Sequence, residues 1–327
     1  MPIIALNAKK ISPKQQSLLE KINNGKIVPL ISGEVINDLY LGGQKKMVEG
    51  YADYIEYPLD DRDNLLQMAK YSSVLKEMDN WQLKSDYLNF IKNHLYGLAQ
   101  QEGLDEEKLE EAAEQVDNVT ASEFAKLLGY PKFGNKTADP LLILADLPLP
   151  IYLTTSPYNF IEQALTKAGK TSHTEICRWH TGLDSLPSIF DDKTYIPTVA
   201  EPLVYHLHGL DNQSDSLVLT EDDYLQFLVM IAEGRGKNID RIPVRVRQAM
   251  SDSALMLLGY PLPSWSFRVL FWGLIKSASM SHKGIFALQL EASEEKKHYL
   301  EQYLKREADF EVYWQDIRTY IQELKGK

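Results

Sequence analysis

Five short runs of this chain are apolar almost without interruption: IVPLI at 27–31, LPIYL at 149–153, LVYHLH at 203–208, SALMLLG at 253–259 and IFALQL at 285–290. A strand with one wet face alternates, whereas a continuous apolar run of this length belongs to a strand covered on both faces. Two weaker strand signals lie at 174–179 and around Val312. Helical periodicity fills the intervals at 13–23, 160–168, 220–233, 293–306 and 314–325, and the turn and apolar helix of YPLPSWSFRVLFWGLI place Phe267, Leu270, Phe271 and Leu274 inward. Strands and helices in alternation predict an α/β protein, a doubly wound, mostly parallel sheet of about six strands.

The alternation stops between residues 44 and 145. That stretch reads as helices at 45–55, 62–71, 74–99, 105–116 and 122–128, with the turn-rich PKFGNKTADP at 131–140 leading back to the sheet. The expected organisation is a sheet domain built from 1–43 and 146–327, with 44–145 as a helical insertion or cap. The acidic run LDEEKLEEAAEQ at 104–115 fits a solvated helix face, because its carboxylates are spread along the helix and no histidine converges on them.

With 327 residues, 44% hydrophobic and 25% charged, the chain has an ordinary globular composition. Its net charge of −11 argues against direct nucleic-acid binding and against an anionic membrane surface, since phosphate recognition depends on Lys and Arg. One cysteine, Cys177, forms no internal disulfide, which fits a reducing compartment. The first residues, MPIIALNAKKISPKQQ, lack the apolar core of a leader, and no run is long enough to span a bilayer. A cytoplasmic location is therefore expected.

Chemistry concentrates where the apolar runs end. PLVYHLHGLD at 202–211 predicts a strand over 203–208 with His206 and His208 on one face, His208 at the exit beside a glycine. Two histidines without a third ligand make a poor metal site. After 27–31, Ser32, Gly33 and Glu34 form a strand–turn–helix opening of the nucleotide-binding kind, but with one glycine and an acid where backbone N–H groups would meet a pyrophosphate. Thr220 and Asp223 form a short-armed capping box, and Tyr224, Phe227, Leu228 and Ile231 follow at the spacing of a core face.

The order IVPLI-SGE, IYLTTSPYNFIEQAL, LVYHLHG with LVLTEDDYLQFL, and LMLLGYPLPSWSFRVLF resembles the sirtuin-like family, a bacterial branch related to sirtuins and found as effector domains in antiphage defence. The resemblance runs from about Lys26 to the carboxyl terminus and implies a Rossmann-like fold with NAD as substrate, hydrolysed to nicotinamide and ADP-ribose without a metal. It implies His208 as the histidine of the H-G motif beside the nicotinamide ribose, and Thr154 and Thr155 as the start of a T-T-N-Y-D type motif. Gly259 and Tyr260 correspond to a G-Y-S type loop near the adenosine ribose, and Ser32, Gly33 and Glu34 stand where a G-A-G phosphate turn is expected. Ser156 replaces the family's catalytic asparagine. Asn159, three residues on, is placed to supply an amide instead. Pro261 and Ser264 replace the serine and aspartate of the last loop.

Two readings stay open. An NAD hydrolase, restrained in a homo-oligomer or by a defence-system partner, requires NAD or ADP-ribose to fit between the turns at Gly33, Thr155 and Gly259. A degenerate module acting as nucleotide sensor or assembly scaffold requires Glu34 or Pro261 to fill that crevice. A lysine deacylase is the least favoured reading, since sirtuins proper usually carry a zinc module of four cysteines and the single Cys177 cannot make that site.

Overall fold

The computed structural model describes residues 13–233, 241–262, 264–275, 285–289, 294–307, 310–314 and 316–324. Helix α1 (Pro13–Asn23) leads into strand β1 (Ile27–Ile31), and seven helices follow: α2 (Gly33–Tyr40), α3 (Gln44–Tyr54), α4 (Leu65–Leu75), α5 (Asn80–Gln101), α6 (Glu106–Gln115), α7 (Ala121–Leu127) and α8 (Pro140–Asp146). The alternation then resumes with β2 (Ile151–Thr154), α9 (Phe160–Lys167), β3 (His173–Ile176), β4 (Leu203–His206), α10 (Glu221–Glu233), α11 (Val244–Asp252), β5 (Ala254–Leu258) and α12 (Trp265–Leu270), which a π turn extends to Ile275. Strand β6 (Ile285–Gln289), α13 (Glu294–Glu307), β7 (Phe310–Trp314) and α14 (Ile317–Glu323) complete it.

The seven strands form one sheet in the order β3-β4-β2-β1-β5-β6-β7, every pair parallel. This is an α/β, Rossmann-like architecture. Strands β2 to β4 lie on one side of β1 and β5 to β7 on the other, so the winding reverses between β1 and β5. Open sheets of this kind bind ligands at such a reversal, outside the carboxyl ends of the strands.

Strand parity distributes the core. Ile27, Ile31, Tyr152, Val204, Ala254, Met256 and Leu258 join one apolar cluster with residues of α1 to α9 and α14. Val28, Leu30, Ile151, Leu153, Leu203, Tyr205, Leu255 and Leu257 join the other with α10 to α12. Two helical layers thus cover the sheet, which is why its strands are apolar throughout. The β1–β2 ladder is recorded from Leu30 onward, one residue after Pro29, which has no N–H to give.

Several elements differ from the sequence reading. The strand expected over 203–208 ends at His206, so His206 and His208 do not share a strand face; His208 sits in the following turn. The helix expected over 74–99 is two helices: Glu77 adopts φ 51 and Asp79 caps α5 with a reciprocal box to Gln82. Helix α8, which the sequence reading did not single out, begins where the turn-rich 131–140 stretch ends, capped by Asp139 with Pro140 in its first turn. The strand expected over 174–179 stops at Ile176. Leu290, Ser293, Gln315 and Lys325, at the ends of expected elements, and the leader reading on residues 1–12 lie outside the described residues. Among the described residues no helix is long and apolar enough to cross a membrane.

Candidate functional site

At the reversal between β1 and β5 the turns lie directly against one another. The first four N–H groups of a helix have no partner within it and can hold an anion. In α2 three of the four are hydrogen-bonded within the protein. Ser32 N–H donates to Leu258 O (3.0 Å), Gly33 N–H to Thr155 Oγ1 (3.0 Å) and Val35 N–H to Ser32 Oγ (3.1 Å). Glu34 turns its carboxyl back on its own backbone and on Ser32. Ser32 Oγ donates to Gly259 O (2.9 Å), and the Tyr260 hydroxyl lies 3.4 Å from Thr155 Oγ1. Gly259, at φ +76, has no room for a side chain: a Cβ would lie 2.6 Å from Val35 Cβ. Ser264 caps α12 through Phe267 N–H (3.1 Å).

Beside this closed seam lies a cavity of about 100 Å³, lined among others by Gly33, Glu34, Tyr87, Thr155, His208 and Tyr224. Its volume is roughly a third of the smallest usual for small-molecule sites, on the order of 300–1,000 Å³. Gly209 at φ +85 turns the chain so that His208 faces α10. There its ring packs edge-on against Tyr224 and Phe227, at 4.9 and 5.2 Å between centroids. His208 Nδ1 meets the Tyr224 hydroxyl at 3.3 Å, and Nε2 has no hydrogen-bond partner. Burial pushes His208 down to about 3, so the ring is neutral throughout the physiological range. A base so weak takes up a proton poorly at neutral pH, but a neutral imidazole is well suited to hold a hydroxyl. Burial raises the Glu34 carboxyl above the ordinary carboxylate range, and Asp38 adds to the effect. Burial, with Glu34 adding to it, raises the Tyr87, Tyr224 and Tyr260 hydroxyls, so all three remain protonated.

The other residues singled out in the sequence are placed differently. Thr154 is fully buried, its hydroxyl donating to Ile31 O (2.9 Å) and accepting from Ser156 N–H (2.9 Å). Ser156 Oγ accepts from Tyr158 N–H at 3.3 Å and does not line the His208 cavity. Asn159 starts α9, its Oδ1 accepting from Gln163 Nε2 (2.7 Å), and lines a separate polar cleft of about 410 Å³ near the β3 edge. His208, Thr155, Gly33 and Glu34 are therefore brought together, whereas Ser156 and Asn159 face elsewhere. Among the described residues no group of three or more His, Cys, Asp and Glu side chains is placed to hold a metal ion.

His206 is structural. Nδ1 lies 2.8 Å from Ser156 O and Nε2 2.9 Å from Glu162 Oε1, fixing the 154–159 segment against β4 and α9. Burial alone would lower its pKa, but the Glu162 charge and hydrogen bond, the Ser156 carbonyl and Asp211 together raise it. A raised folded value gives stability that is complete below the unfolded value, about 6.5, and is lost as pH rises through the folded one. Denaturant titrations should show wild type exceeding Glu162→Gln by ~1–3 kcal/mol near pH 6, with the difference shrinking toward pH 9. A constant difference would mean that His206 carries no proton.

Tyr224 and Tyr87 are the contributors that sequence reasoning missed. Tyr224 has the spacing of a core residue, and its buried ring is one; only the turn at Gly209 brings His208 to its hydroxyl. Tyr87 lies on α5, far from the other lining residues in sequence, and nothing local marks it.

Residues 150–308 match the family model of the SIR2-like domain. The matched span begins at β2 and holds Thr154, Thr155, Ser156, Asn159, His208, Gly259 and Tyr260, but not β1 or the Ser32–Glu34 turn. No curated protein matches the chain. The match supports a sirtuin-like family.

Proposed function

We propose that the chain is a sirtuin-like N-glycohydrolase that releases nicotinamide, with NAD as the substrate to which the family likeness points. The observation that carries this reading is the buried, unpartnered Nε2 of His208 at a cavity by the carboxyl ends of the strands. A buried polar atom without a partner costs free energy, and a ligand hydroxyl removes that cost. In the reaction the bond between the ribosyl carbon and the pyridinium nitrogen breaks, its electron pair leaving with neutral nicotinamide. Water then bonds to that carbon and gives up a proton to solvent. His208 holds the ribose, and the Glu34 carboxylate offsets the positive charge that develops on it.

The fit to the whole dinucleotide is uneven. The nicotinamide-ribose end has the His208 cavity. The pyrophosphate end has an α2 terminus three of whose N–H groups are already bonded. That closure favours the second reading, a degenerate sirtuin-like module serving as nucleotide sensor or assembly scaffold. A defence role, control by self-association and a helical cap over 44–145 belong to the proposal on the strength of the family likeness and the sequence.

Nicotinamide release from NAD, followed with wild type and His208→Ala side by side, separates the readings. The hydrolase reading expects release that falls by ~10²–10⁴ in the variant. Absence of release from wild type, with no NAD-dependent rise in melting temperature, supports the scaffold.

A further inference from the structure

The disagreement between the two ends of the site bears on what it admits. NAD carries a pyrophosphate with two negative charges. A Rossmann-like site neutralises such a group with free N–H donors at the helix after β1 and gives it glycine room to approach. Here Thr155 Oγ1, Ser32 Oγ and Leu258 O accept from three of those donors, and the Glu34 carboxyl stands beside them. The turn is close-set as well: a Cβ on Gly33 would stand in van der Waals contact with its neighbours, 3.4 Å from Thr155 O and 3.5 Å from Ser156 Cα. A phosphate brought here would meet an acid whose ionised form burial already disfavours and a second negative charge would disfavour further.

For a pyridinium the same group is attractive. Glu34 lines the cavity together with His208, Tyr87 and Tyr224, so one acid lies among neutral hydrogen-bonding groups and aromatic rings. A carboxylate, phenol hydroxyls and a neutral imidazole match a cation that bears hydroxyls. Among them the carboxyl is the group that does not match an anion.

We infer that the His208 cavity selects a cationic N-ribosyl pyridinium without a pyrophosphate, a nucleoside of the nicotinamide riboside kind, and that Glu34 sets this preference by excluding phosphate. The inference rests on the reading of the cavity as a nicotinamide-ribose site and names its substrate class. It changes which end of the molecule the protein recognises.

Calorimetric titration of the full chain with nicotinamide riboside, nicotinamide mononucleotide, NAD and ADP-ribose tests it without requiring turnover. The riboside should bind about tenfold or more tightly than NAD, with the mononucleotide between them, because a pyridinium favours the ionised form of the acid beside it and a phosphate disfavours it. Glu34→Gln keeps the shape and removes the charge, and should narrow the gap between riboside and NAD about tenfold. NAD or ADP-ribose binding as tightly as the riboside, or a gap unchanged in Glu34→Gln, overturns the inference; if NAD is also hydrolysed, the glycohydrolase reading survives. Binding of none of the four, with no nicotinamide released from NAD or the riboside, removes both.

Discussion

Gly209→Ala should unfold the candidate site and cost the protein about 3–5 kcal/mol, the largest loss expected from a methyl group added at any of the described glycines. Gly209 has φ +85, where a Cβ alone costs about 1–3 kcal/mol. The new carbon would also overlap the backbone carbonyl of Ser216. That contact has no flexible side chain to yield, so overpacking adds roughly 1–3 kcal/mol. Ser216 is held in turn: its Oγ accepts from Leu210 N–H (3.0 Å), and its carbonyl accepts from the Trp179 indole N–H (2.8 Å). Relief by movement of 214–216 would break that brace, and relief by movement of 208–209 would take His208 from Tyr224. Equilibrium denaturation reads the first cost, and loss of whatever ligand the cavity binds reads the second. A variant of wild-type stability would show that the turn adapts cheaply and that His208 is less firmly placed than its packing indicates.

Lys84→Ala should cost about 3–5 kcal/mol, the range for breaking one side of a buried charge pair. Lys84 projects from α5 and is fully buried, its ammonium 3.2 Å from Asp215 O, 3.7 Å from Asp223 Oδ1 and 5.0 Å from the Trp179 ring centroid. Burial lowers its pKa, and Asp223 and Asp215 oppose that effect. This single cation ties the helices between β1 and β2 to the turn that carries Ser216 and to the start of α10. When Lys84 is lost, Asp223 keeps the Leu219 and Thr220 N–H groups on its Oδ2, at 3.0 Å each, but its Oδ1 loses the counter-charge. Lys84→Met combined with Asp223→Asn should therefore cost less than the two single changes added together, with a coupling of about 1–3 kcal/mol. Strict additivity in denaturation would mean that the ammonium acts through packing on Trp179 and not through the carboxylate.

The two effects meet in one place. Trp179, Ser216, Lys84 and Asp223 form a buried polar knot behind His208, and the orientation of the histidine depends on it.

The sequence by itself determined the layers. Runs such as IVPLI and SALMLLG carry no polar face, so they could form only strands buried on both sides, and the helices between them required a parallel sheet. It also determined which turns would end those strands, and therefore that Ser32, Thr155, His208 and Gly259 would gather at one edge. Local chemistry fixed the caps at Ser32, Thr220 and Ser264, because each is decided within four residues. What only the tertiary structure decided is which of the gathered groups face the cavity. The register put His206 against Glu162 as a buried pair and left His208 to the turn. Whether Ser156 and Asn159 point at their own backbone neighbours or into the site depends on how 154–159 lies against β4 and α7, and its bonds to His206 and Ser122 come from residues dozens of positions away. The same holds for the α2 terminus. A serine, a glycine and a glutamate in sequence leave open whether N–H groups are free for an anion. The Thr155 hydroxyl, more than a hundred residues on, engages one of them. Hydrogen-bond partners across such separations are set by packing of the whole sheet, and no local pattern carries them.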